Sequence, residues 1–148
     1  MIAIKSSLNY SLISLDDNPD DFEVIMVELE LRRSQKKLLI MVCYRPPNNS
    51  TFVHIFKHAL DSINTNNYQI IFILGDFNFP NINSIDGSGF SNLSTNDENK
   101  IVDILKDLFL FQIIDSPTRA NKILDLILIN SPDEVTSIQT GASLQDIA

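Results

Sequence analysis

Polar and apolar positions divide the chain into short segments of two periods. Val24, Met26 and Glu28 alternate with Ile25, Val27 and Leu29, the mark of a strand with one face buried more deeply than the other. Leu38 to Cys43, Ile70 to Leu74 and Ile123 to Ile129 are nearly unbroken apolar runs, which predicts strands buried on both faces. Val24–Leu31 and Leu38–Tyr44 should pair as a hairpin across a turn bracketed by Arg32-Arg33 and Lys36-Lys37. Met1–Lys5 and Tyr10–Leu15 read as short edge strands, and Phe111–Ile114 as a further apolar run.

The period changes to three and four at Phe52, Ile55, Phe56, Ala59, Leu60 and Ile63, one stripe of an amphipathic helix after Pro46-Pro47. His54 and His58 fall off that stripe and read as exposed helix residues, since a zinc site would need a third ligand. Thr95-Asn96-Asp97-Glu98 matches a capping box, and Ile101, Ile104, Leu105, Leu108 and Phe109 mark the second helix behind it. Between Phe79 and Asn96 the chain is rich in Asn, Ser and Gly without a sustained period, which predicts a long surface loop. Asp16 to Asp21 reads as a solvated acidic turn, because the glycine and terminal glutamate of a calcium loop are missing. Strands outnumber helices, so the pattern predicts a layered α+β domain.

Composition narrows the picture. The 148 residues fit one domain, and 44% apolar content is enough for a core. The opening segment lacks the pattern of a signal peptide, and no apolar run reaches the roughly 18 residues of a membrane span. The expectation is an intracellular protein, nuclear or cytoplasmic and not secreted, with no membrane partner. The single cysteine, Cys43, lies inside an apolar strand, reads as a small buried hydrophobe and excludes an intrachain disulfide. A net charge of −8 with only 11 Lys and Arg argues against tight unaided binding to nucleic acid, whose affinity rests on neutralised phosphates.

Candidate chemistry gathers where the apolar runs stop. Ile70–Leu74 ends in Gly75-Asp76-Phe77-Asn78, and residues beyond the C-terminal ends of strands are where α/β proteins place their sites. If the segment stays extended, Asp76 and Asn78 share a face while Phe77 points away. Such a pair can orient a water beside a phosphate oxygen. A turn built from Gly, Asp and Asn remains the alternative reading. Leu38–Cys43 stops at Tyr44-Arg45-Pro46-Pro47, and Ser116-Pro117-Thr118-Arg119 precedes the run that holds Asp125 among aliphatic residues. A carboxylate so flanked is costly to bury without a partner.

Those four motifs, in that order and with intervals of 32 residues from Tyr44 to Asp76 and 49 from Asp76 to Asp125, resemble the endonuclease domain of non-LTR retrotransposons. That family is a branch of the endonuclease/exonuclease/phosphatase superfamily. The resemblance implies a DNase I-like four-layer α/β/β/α sandwich, incomplete here, with residues 1–148 a partial domain. It implies a Mg²⁺-dependent phosphodiesterase acting on DNA, with a reverse transcriptase region of the same parent polyprotein as a further partner. By motif, Asp76 would orient or deprotonate water, Asn78 would position the same group, Tyr44 would hydrogen-bond a phosphate oxygen and Asp125 would hold a catalytic histidine. Arg45, Thr118 and Arg119 would line the substrate. Departures from the family pattern weaken the implied activity: no residue matches the upstream metal-binding glutamate, and none matches the terminal Asp-His. Mg²⁺ is therefore expected to bind weakly, with no residue assigned as a dedicated metal ligand. A truncated, non-catalytic remnant serving as an interaction scaffold is the alternative. Tyr44-Arg45-Pro46-Pro47 favours this branch over the lipid or inositol phosphatases of the same superfamily. With strands missing from each sheet, an apolar patch should stay uncovered, leaving the chain aggregation-prone or dependent on a partner.

Overall fold

Both periods become the elements they predict, with changes at the ends. The strands are β1 (Tyr10–Ile13), β2 (Glu23–Glu30), β3 (Lys37–Tyr44), β4 (Tyr68–Asp76), β5 (Phe111–Gln112) and β6 (Asp125–Ile129). The helices are α1 (Phe52–Asp61) and α2 (Asn96–Asp107). The computed structural model describes residues 2–15, 23–30, 37–82 and 95–139. The expected acidic turn at Asp16–Asp21, most of the basic hairpin turn and most of the polar loop before Asn96 lie outside these residues.

All six strands join one mixed sheet in the order β1-β2-β3-β4-β6-β5, giving an α+β fold. The hairpin is present: β2 pairs antiparallel with β3, from Glu23 opposite Tyr44 to Glu30 opposite Lys37. β3 and β4 are parallel, which requires a crossover, and α1 supplies it. β6 returns antiparallel to β4, placing Asp125 opposite Asp76. A second sheet, as expected for a four-layer sandwich, is not among the described residues.

Both helices pack on one face. Phe52, Val53, Phe56, Ala59 and Leu60 of α1 and Ile101, Val102, Ile104 and Leu105 of α2 share a core with Met26, Leu39, Met41, Cys43, Ile71, Ile73, Leu126 and Leu128 of the sheet. Phe77, the first residue beyond β4, meets Phe52 and Phe56 edge-on with ring centroids 5.7 and 5.6 Å away. Truncating a buried aromatic of this kind costs about 3–5 kcal/mol. The cluster thus pins the tip of β4 to α1.

Several details depart from the sequence reading. Residues 2–5 form no strand. Phe109 does not belong to the stripe of α2: the helix ends at Asp107, and Phe109 adopts φ 53° with its ring in solvent. The capping box is present as expected, with Thr95 Oγ1 accepting the Glu98 N–H at 3.1 Å and Glu98 accepting the Thr95 N–H at 3.0 Å. Glu98 is also buried and receives the Asn81 amide at 2.9 Å, which ties α2 to the segment after β4.

Candidate active site

Register brings the chemistry together. Tyr44 is opposite Asp76 in the β3–β4 pair, and Asp76 is opposite Asp125 in the β4–β6 pair. Directly opposed residues project to the same side of a sheet, so the three side chains form one row across three strand ends. The row stands on the face away from the helices, in line with Val42, Leu74 and Ile127. Residues separated by 32 and 49 positions in sequence thereby become neighbours about 5 Å apart between Cα atoms.

Two carboxylates directly opposite each other repel, and such a pair calls for a cation. Arg119 supplies one, its guanidinium donating to Asp76 Oδ2 at 3.0 Å while the arginine side chain stays 61% exposed. An ion pair this open to water contributes about 0.2–1 kcal/mol. Asp125 forms no ion pair among the described residues. It avoids the burial cost anticipated from its apolar flanks by standing at the first position of β6, half-buried beside solvent.

Thr118 positions this arrangement. Its Oγ1 accepts the N–H groups of Leu124 and Asp125, each at 3.1 Å. Backbone bonds between Arg119 and Lys122 then close a tight turn, with Ala120 at φ 53°. Arg119 is thereby presented at the end of β4.

Asn78 departs from the extended geometry that would place it beside Asp76. β4 ends at Asp76, and Asn78 takes φ 50°, a left-handed conformation that asparagine tolerates better than most residues. Its amide donates to the Arg45 carbonyl at 2.7 Å, and its own N–H donates to Asp76 Oδ1 at 3.2 Å. The Asn78 N–H therefore orients the Asp76 carboxylate, while the side chain locks the ends of β3 and β4 together.

Arg45, expected to face substrate, is instead 7% exposed. Its guanidinium stacks 4.0 Å over the Phe79 ring and donates to the Asn78 carbonyl at 3.0 Å. Nε is buried without a hydrogen-bond partner among the described residues. Burial lowers the guanidinium pKa, and the negative charges of Asp97 and Glu98 oppose that shift. An arginine so held is a positioning residue of the strand tips. Nothing in Tyr-Arg-Pro-Pro distinguishes this inward rotamer from an outward one, so its role emerges only with Phe79 in place.

A cleft of about 680 Å³ opens beside these tips, walled by Arg45, Pro47, Asn78, Asn81, Asp97 and Lys122. Lys122 lines this cleft, whereas Tyr44, Asp76, Asp125 and Arg119 do not. His54 and His58 lie exposed on α1, away from the row, as their place off the apolar stripe predicts. Among the described residues no three His, Cys, Asp or Glu side chains converge as a metal cluster. No described helix is long and apolar enough to cross a membrane.

No family model matches the sequence, and no curated protein matches it. Among solved structures, the chain is similar to the endonuclease domain of TRAS1, a telomere-specific non-LTR retrotransposon, with a TM-score of 0.45 and 12% identity. The match covers 82% of this chain, which spans 66% of that structure.

Proposed function

We propose that the tips of β3, β4 and β6 form a phosphodiester-directed site of the endonuclease type, with DNA as the substrate class. The observation that carries this reading is the register that aligns Tyr44, Asp76 and Asp125 with Arg119 at the end of the row. Tyr44 offers a hydroxyl donor to a phosphate oxygen, and Asp76 offers an acceptor for a proton of the attacking water. Asn78 fixes the Asp76 carboxylate, and Arg119 supplies positive charge to a passing backbone.

Mg²⁺ fits the donor set. It binds hard oxygens, commonly through one or two carboxylates with the remaining positions left to water and phosphate, and Asp76 and Asp125 are two such carboxylates on one face. When bound, it would supply Lewis-acid stabilisation of the developing phosphorane charge. Arg119 already neutralises one of the pair, so affinity should be low.

Turnover should be low as well. The row contains no histidine, and losing one stabilising group from such a site commonly costs about 10²-fold to 10³-fold. A non-catalytic scaffold is the second reading, favoured by the same pairing of Asp76 with Arg119. Titration with Mg²⁺ and a short DNA duplex, followed by amide chemical shifts, tests the site. Shifts are expected around Tyr44, Asp76, Arg119 and Asp125 and not on α1 around His54. Perturbation confined to α1, or none anywhere, would remove the phosphodiester reading. Nicking of supercoiled plasmid should be marginal, and robust Mg²⁺-dependent nicking abolished by Asp76→Ala would overturn the low-turnover expectation.

A further inference from the structure

Asp76 receives two bonds of different kinds. Its Oδ1 accepts the Asn78 N–H at 3.2 Å, a backbone donor held in place by the bond from the Asn78 amide to the Arg45 carbonyl. Its Oδ2 accepts Arg119 at 3.0 Å, from a side chain that is 61% exposed. The guanidinium makes this bond with one of its five N–H donors, so the two-pronged grip that arginine gives a carboxylate or phosphate is not formed. The turn beneath it is fixed. Arg119 and Lys122 exchange backbone bonds at 3.0 Å, and Thr118 Oγ1 ties the turn to the N–H groups of Leu124 and Asp125. Arg119 can therefore leave Asp76 by side-chain rotation alone. Charge favours a replacement: Glu23, Asp76 and Asp125 stand along one row with Tyr44, and among the described residues Arg119 is the one cation paired within it.

Resting on the phosphodiester reading of this row, we propose that Arg119 is a displaceable counter-ion. It holds Asp76 while the site is empty, yields the carboxylate to a divalent cation and turns to the phosphate of the substrate. Each ligand then meets its better match. The row offers Mg²⁺ two opposed carboxylates, Asp76 and Asp125, where the arginine engages only one. A guanidinium and a divalent cation on the same carboxylate repel, so they exchange rather than coexist. The freed guanidinium can grip phosphate with two parallel N–H bonds, a geometry its single bond to Asp76 lacks. An ion pair this exposed favours the closed arrangement by only about 1.4-fold to 5-fold, so it resists displacement weakly. Metal entry and capture of the DNA backbone are thereby coupled through one side chain.

The probes are Mg²⁺ alone and Mg²⁺ with a short DNA duplex, added to the whole chain and to Arg119→Ala and Arg119→Lys, and followed by backbone amide and arginine Nε–H chemical shifts. Arg119 lies outside the core, so both variants should fold, as circular dichroism can check. With Mg²⁺ alone, the Arg119 Nε–H signal, assigned by its loss in the variants, should move in step with the Asp76 amide. Arg119→Ala should lower the Mg²⁺ concentration at half-saturation by about twofold to sixfold, because no closed arrangement remains to be displaced. Arg119→Lys, which keeps a cation within reach of Asp76, should return most of that difference. With DNA present the order should reverse, the unsubstituted chain binding the duplex more tightly than Arg119→Ala. A residue that merely supports the fold would weaken both ligands together. Mg²⁺ that shifts Asp76 while the Arg119 signal stays in place, or that binds Arg119→Ala no more tightly, would refute the exchange and leave the phosphodiester reading standing. No response to Mg²⁺ at Asp76 or Asp125 in any of the three proteins would remove both.

Discussion

Replacing Gly75 with alanine attacks the joint between β3 and β4 immediately before Asp76. Gly75 is opposite Cys43 and holds φ 156°, a conformation that residues with a side chain rarely adopt. A methyl group there would lie 2.9 Å from the Cys43 carbonyl carbon and collide with its oxygen. Both atoms are backbone, so no rotamer change relieves the contact. The strands must part by about 1 Å or the backbone must turn, and either route disrupts one or two buried ladder bonds. Each bond lost without replacement costs about 1–3 kcal/mol, and strained backbone adds about 1–3 kcal/mol. A loss near 4 kcal/mol is expected, a large share of the 5–15 kcal/mol that stabilises a typical domain. Urea unfolding at fixed protein concentration measures it, with an unchanged slope showing that the same surface is exposed. Hydrogen exchange adds a local readout, because the Arg45 N–H donates to the Asp76 carbonyl at 2.9 Å across this joint and should lose protection. A destabilisation under about 1 kcal/mol with Arg45 still protected would refute the argument.

Thr95→Ala should cost about 1 kcal/mol in the same unfolding assay and speed exchange in the first turn of α2, by removing the side-chain acceptor of its capping box. Stability should also depend on pH at both extremes. The Lys37 amine, 2.7 Å from Glu28, lowers the Glu28 pKa from its ordinary 4.5, and the Tyr68 hydroxyl at 3.0 Å adds to the effect against burial. Glu28 therefore stabilises the fold above pH 4.5, and that contribution should vanish as pH falls through its lowered value; Glu28→Gln should flatten the acid limb of a thermal-melt series. Burial, with help from Glu28, raises the Tyr68 phenol to about 12, so its contribution should persist below pH 10 and be lost between there and about 12, as phenolate absorbance would record. The Cys43 thiol is buried and its pKa pushed up by desolvation, so a disulfide reagent should label it only on the timescale of unfolding; prompt labelling of the native chain would contradict the packing of β3.

Local pattern determined most of the segments that became strands and helices, the expected edge strand at residues 2–5 being an exception. The alternation at Val24–Leu29, the apolar runs at Leu38 and Ile70 and the stripe from Phe52 to Leu60 each carry their period in a few consecutive residues, as does the capping box at Thr95. Order along the chain also located the candidate chemistry at strand ends, because Gly, Asp and paired prolines stop apolar runs. What no local pattern encodes is pairing. That β6 lies beside β4 with Asp125 opposite Asp76, and that a turn held by Thr118 brings Arg119 to the same carboxylate, follows from a register set by burial across the whole sheet. Rotamer and backbone choice were equally hidden: Asn78 abandons the extended form and Arg45 turns inward because Phe79 and the neighbouring strand end offer bonds that solvent cannot match. Short-range periodicity thus fixes the elements, while long-range packing decides which polar side chains face one another and which become part of the frame.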